Sequence, residues 1–200
     1  MESLERTNTP ISGYLALFMN FSLLAAFIAL VAITKSPIWS LLLLPWLIMI
    51  PGFFYVNPNG SRVLTLFGEY RGTVKDNGFF WVNPFYAKKR ISLRARNFDS
   101  ERIKVNDNIG NPILISVILV WRVKDTYKAA FEVDNYENFV RVQTDAAVRK
   151  LAGTYPYDNF DDAQAEVTLR SGIKEVNEDL ESEIEDRLSC LLYTSDAADD

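Results

Sequence analysis

Two hundred residues with a formal net charge of −5 argue against a nucleic-acid binder, which needs a basic surplus to neutralise phosphates. Histidine is absent, which removes the usual general base, proton shuttle and commonest metal ligand, and the single Cys190 permits neither an internal disulfide nor a zinc pattern. An enzyme is disfavoured from the outset, and no metal or other cofactor is expected.

Residues 1–10 read as a short polar tail. From Ile11 to Ile33 runs an uncharged apolar stretch of about 23 residues, enough at 1.5 Å per residue to cross a hydrocarbon core of roughly 30 Å. A cleaved secretory signal is the competing reading. It is outweighed by the length of the run and by a second apolar run that follows almost at once. Thr34-Lys35-Ser36-Pro37 breaks the first run and Ile38 to Val56 resumes it, so residues 11–56 are expected to form a two-segment membrane anchor, a transmembrane helical hairpin. Pro45 and Pro51-Gly52 complicate the second leg, because Ile38 to Ile50 alone gives only about 20 Å of helix. That leaves a full crossing or a re-entrant wedge. Lys35 is the only charge in the connecting loop, against Arg6, Arg62, Arg71 and Lys75 in the flanks, a bias that favours a cytoplasmic domain.

Residues 57–157 are expected to form one α+β domain with an antiparallel meander. Asn57-Pro58-Asn59-Gly60 marks the exit from the apolar stretch, and Arg62 to Phe67 has strand composition. Asp76-Asn77-Gly78 predicts a hairpin between Tyr70–Lys75 and Phe79–Val82. Arg90 to Arg96 alternates Ile91, Leu93 and Ala95 with Arg90, Ser92, Arg94 and Arg96, giving one core face and one basic face. Glu101–Asn106 alternates again, and Ile113–Val123 is apolar enough on both faces to be central. Helical spacing begins at Tyr127–Phe131 and continues over Asn135–Leu151, ending near Gly153.

Residues 158–188 read as the start of a long helix, opened by a capping box at Asp161-Asp162-Ala163-Gln164. Its apolar stripe is Leu169, Ile173, Val176, Leu180, Ile184 and Leu188 on an otherwise acidic surface. Spacings of three and four suit packing on the domain or pairing between subunits. From Ser189 the stripe fails, and residues 189–200 form a tail that fits neither the helix nor what precedes it.

The order of these segments resembles the stomatin, prohibitin and flotillin superfamily, the SPFH or band 7 family. The resemblance rests on the anchor followed by Asn59-Gly60-Ser61-Arg62-Val63-Leu64, Asn77-Gly78-Phe79-Phe80-Trp81-Val82-Asn83-Pro84-Phe85, Arg90-Ile91-Ser92-Leu93-Arg94, Asn106-Asp107-Asn108-Ile109-Gly110, Trp121-Arg122-Val123-Lys124-Asp125 and Ala129-Ala130-Phe131 with Asn135-Tyr136-Glu137. It spans about Asn57 to Leu188. The resemblance implies an SPFH domain on the membrane, assembly into homo-oligomers through a long C-terminal helix, and a scaffold role in membrane microdomains or in the regulation of membrane proteases and channels. This chain departs from the pattern where the assembly helix is cut short. An accessory subunit of a membrane transporter or channel is the alternative.

Candidate chemistry is sparse. The carboxylate pairs Asp161/Asp162 and Glu185/Asp186 fit a helix start and a solvated face, and Ser171 with Lys174 lacks an apolar setting to depress the lysine pKa. The basic face carried by Arg90, Arg94 and Arg96 is the surface with functional promise. It suits anionic lipid headgroups or an acidic helix of the same or a neighbouring subunit.

Overall fold

The computed structural model describes residues 5–35, 37–158, 167–188 and 192–194. The chain divides into two compact units, one up to Leu93 and one from Arg94 onward.

The first unit starts with a two-residue strand, β1 (Ile11–Ser12), that leads directly into helix α1 (Gly13–Thr34). A 3-10 segment Pro37–Leu42, helix α2 (Leu43–Met49) and a 3-10 turn Ile50–Gly52 carry the chain back. Strands β2 (Phe53–Val56), β3 (Gly60–Leu66), β4 (Glu69–Val74), β5 (Gly78–Trp81) and β6 (Ala87–Ser92) complete the unit. They form two antiparallel three-stranded sheets, ordered β1-β5-β2 and β4-β3-β6. Phe54, Val56, Leu64, Val74 and Val82 fill the core, with Phe80 and Tyr86 packed against them.

Ile11 and Val56, expected as the outer bounds of the anchor, lie in strands, and the described helical segments between them run over Gly13–Thr34 and from Pro37 to Gly52. One sequence expectation is corrected here: Asp76-Asn77-Gly78 does not close a hairpin, since β4 pairs with β3 while β5 pairs with β1 and β2. The turn chemistry is present, but each flanking strand has found a better partner in a different sheet. The single meander is thereby replaced by several small sheets.

In the second unit, β7 (Arg96–Asp99), β10 (Ile118–Val123) and β11 (Leu192–Thr194) form an antiparallel sheet with β10 central, and β8 (Ile103–Asn106) pairs with β9 (Pro112–Ile115). The expected strand Ile113–Val123 is therefore two strands in two sheets. The expected strand Arg90–Arg96 likewise ends at Ser92. Helix α3 (Thr126–Phe131) is capped by Asp125, which accepts from the amides of Tyr127 and Lys128, and α4 (Tyr136–Thr154) by Asn135, which accepts from those of Glu137 and Asn138. Ala152 of α4 packs with Ile103 and Val105.

Helix α5 (Ile173–Leu188) packs on α4, with ion pairs and hydrogen bonds joining Lys150 to Glu183 and Tyr155 to Asp179. Val176, Leu180, Ile184 and Leu188 are buried in this unit, whereas Ile173 is 62% exposed and Leu169 precedes the helix. The proposed capping box at residues 161–164 lies outside the described residues, as does most of the 189–200 tail. Because Ile184 is core, Ile184→Ala is expected to lower stability by about 2–5 kcal/mol in thermal or chemical unfolding. A residue serving only as an intersubunit seam would instead change assembly size and leave the unit's own stability unaltered.

Candidate functional site

The geometry most relevant to function is at the two ends of the apolar stretch. Ile11 pairs with Trp81 on one side of β5, and Phe53 pairs with the same Trp81 on the other. One four-residue strand thus holds both the entry to α1 and the exit from the return leg. At the entry, a Cβ on Gly13 would fall 2.4 Å from the Phe79 ring, so only glycine admits this approach. Tyr14 meets the edge of the same ring at 5.5 Å, and Phe53 stacks on it at 5.6 Å.

The last carbonyls of the return leg are satisfied by this strand and its neighbours. The Trp81 indole Nε1 donates to the Met49 carbonyl at 3.0 Å, the Val82 amide to Gly52 at 3.1 Å, and Lys88 Nζ to Pro51 at 2.6 Å. A helix end leaves such carbonyls without intrahelical partners, and a cation there also opposes the negative end of the helix dipole. Desolvation, followed by repulsion from Arg62, pushes the Lys88 pKa below the usual lysine value.

Between these ends, α1 is about 33 Å long at 1.5 Å per residue. The mixed 3-10 and α return leg covers about 28 Å, because 3-10 residues rise about 2.0 Å each. The return is therefore longer than an α-helical reading of the same residues allows. Only α1 among the described helices is long and apolar enough to cross a membrane, with a mean hydropathy of 2.4 and only 11% of its most apolar window buried. Ile33, expected near the end of the first segment, is exposed on α1, and Ile38 is exposed on the return leg. The side-chain amide nitrogen of Asn20, a residue 7% exposed within α1, and the Trp46 indole nitrogen are buried without a hydrogen-bond partner among the described residues.

The tail before α1 is structured as well. Thr7 forms a parallel bridge to Thr73 on the free edge of β4. The Thr73 amide donates to Arg6 at 2.7 Å, the Asn8 amide donates to Thr73 at 3.0 Å, and Glu5 pairs with Lys75 at 2.8 Å. Gly72, at φ +123°, makes the close approach possible, because a Cβ there would stand 3.0 Å from both the Arg6 carbonyl and the Asn8 Cβ. Sequence reading missed this edge bridge, whose residues carry no hydrophobic period.

The predicted basic face is not a single surface element. Arg90 is exposed on β6 in the first unit, while Arg94 and Arg96 belong to the second. Arg96 is engaged locally: it pairs with Glu137, donates to the Tyr136 hydroxyl at 3.3 Å, and lies 5.8 Å and 5.5 Å from the Trp121 and Tyr136 rings. Beside it is an open cavity of about 370 Å³ lined also by Phe98, Asn138 and Arg141. Of the other candidates, Ser171 is hydrogen-bonded to Thr168 at 2.8 Å and Lys174 pairs with Glu178 at 3.9 Å, while Glu185 and Asp186 are exposed. No cluster of metal-ligating side chains occurs among the described residues.

Asp107 ties the second unit's loops together, its carboxylate accepting from Ile109, Asn111 and Tyr157 amides at 3.0, 2.6 and 3.1 Å. Desolvation raises its pKa, but these donors outweigh it and hold the carboxyl below its usual range. Its stabilising contribution is present above the unfolded carboxylate pKa and is lost as pH falls through the lower folded value. Asp107→Asn is expected to flatten this acid limb in unfolding curves and to speed amide exchange at Tyr157. For the tail, Gly72→Val is expected to cost about 1–3 kcal/mol of local stability, read as faster amide exchange at Asn8 and Thr73.

Residues 54–189 match the sequence model described as SPFH domain / Band 7 family. No curated protein matches the chain significantly.

Proposed function

The chain belongs to the SPFH/band 7 family, and from that premise we propose that it is a membrane-anchored scaffold without catalytic chemistry, oligomerising to organise membrane microdomains and to regulate membrane proteases or channels. The observation that carries the anchoring part is the pairing of both ends of Gly13–Gly52 with β5. A stretch that leaves and rejoins one strand makes an even number of crossings, or none if it is a wedge in one leaflet. Either route puts the tail and the SPFH domain on the same side of the bilayer. The near-equal lengths of the two legs support a hairpin, and the lone Lys35 at its far end supports a cytoplasmic domain. Lipid is the first partner in this reading.

Assembly into homo-oligomers is the family-based part of the proposal. Four stripe residues of α5 are buried within the unit, so in this reading the helix's acidic face is the surface offered to a neighbour. Arg90 in the first unit and Arg94 in the second, both exposed, each suit headgroups or a neighbour's acidic helix, and Arg96 would do so only by leaving Glu137.

Two measurements test the reading. Single cysteines at Thr9, Lys35 and Asp76 in a Cys190→Ser chain, labelled from outside intact cells, are expected to leave Thr9→Cys and Asp76→Cys equally protected. Opposite reactivity of those two positions would refute the same-side topology. Native sizing in mild detergent is expected to give a large homo-oligomer, and a small species bound to one transporter would favour the accessory-subunit alternative.

A further inference from the structure

The apolar hairpin is not the only feature suited to lipid. Phe67 is 89% exposed and Phe85 62%, yet the two rings stack with centroids 6.5 Å apart and planes inclined by 29°. Phe67 occupies the first central position of the two-residue β3–β4 turn, with φ +50° followed by Gly68 at +90°, the pattern of a type I′ turn. Asn or Asp usually takes that position, because a bulky residue at positive φ is strained. Here the strain holds an aromatic ring in the open, with the Phe85 ring stacked beside it. Strain kept at an exposed residue calls for a role outside the fold.

The location supplies the role. Phe85 lies in the turn between β5 and β6, where its amide donates to Asn83 Oδ1 at 3.1 Å. That turn is bracketed by the two bonds that close the apolar stretch, Val82 to Gly52 and Lys88 to Pro51. Register brings the other ring to the same place, since Thr65 pairs with Ala87 two residues before Phe67. The stacked pair therefore stands beside the point where the return leg rejoins the domain. Partly desolvated Lys88 lies at the same junction, and Arg71, ion-paired with Glu69 at 2.8 Å, flanks the Phe67 turn. Aromatic rings with nearby cations are the composition that settles at the boundary between headgroups and acyl chains.

We propose that Phe67 and Phe85 form a second membrane contact, inserting as a pair into the interface of the leaflet from which the hairpin emerges. The pair gives the first unit a second point of attachment beside the latched ends of the hairpin, and two points fix its tilt on the bilayer. This inference rests on the anchoring proposed above, and the test separates the two. Cysteines are placed singly at Leu15, Glu69 and Asp76 in the full Cys190→Ser chain, labelled with an environment-sensitive fluorophore, and reconstituted in vesicles of zwitterionic and anionic phospholipid with nitroxide-labelled acyl chains. Glu69 adjoins the turn and leaves both rings intact.

Quenching is expected at Leu15→Cys and Glu69→Cys and not at Asp76→Cys. In a Phe67→Ser/Phe85→Ser background, with unchanged circular dichroism, the Glu69→Cys signal is expected to fall several-fold toward the Asp76→Cys level while Leu15→Cys stays quenched. Quenching at Leu15→Cys without quenching at Glu69→Cys overturns the inference, leaves the anchor standing and gives the pair to a protein partner. Quenching at Glu69→Cys that survives the double serine variant also overturns it. No quenching at Leu15→Cys overturns the anchor reading and this inference with it.

Discussion

The strand Gly78–Trp81 is the constraint on which the first unit depends, because its two edges are used by the two ends of one apolar excursion. A sheet interior normally joins segments of a domain to one another. Here four residues also close a loop whose forty intervening residues have little to pack against. Met49, Pro51 and Gly52 end that loop as bare carbonyls, and Trp81, Lys88 and Val82 satisfy them. Without those donors the exit would leave unpaired carbonyls beside the apolar segment, where desolvation makes them expensive.

The second unit is organised differently, around α4. Its N-terminus is capped by Asn135, its buried face meets β8 through Ala152, and it receives the apolar stripe of α5. Polar ties are placed where regular structure ends, as at Asp107, whose carboxylate serves donors from two loops.

Much of this was legible in the sequence. The apolar runs, the strand alternation and the order of family motifs depend on local chemistry, and local chemistry is what a pattern records. Partner choice was not legible. Asp76-Asn77-Gly78 has every feature of a hairpin turn, yet its flanking strands part because β4 is held by the Phe67-Gly68 turn and β5 by the ends of the anchor. The α5 stripe was equally ambiguous, since core packing and a subunit seam need the same spacing. Edge pairing of Arg6 to Asn8 had no signal at all, because parallel backbone bonding asks little of side chains beyond the gap left by Gly72.

The N-terminal edge bridge also has a consequence in time. Arg6 and Tyr70, bonded through backbone and hydroxyl, are 64 residues apart in the chain, and the partners of Ile11 and Ser12 are farther still. During synthesis the tail and both apolar legs leave the ribosome before β4 and β5 exist to receive them. The greasy excursion must therefore find shelter first, and only afterwards does its doorway latch, a long-range closure that contributes late and slowly to folding. Closure of this unit thus runs from its later strands back to its start, with the protein's first residues among the last of the unit to reach their final places.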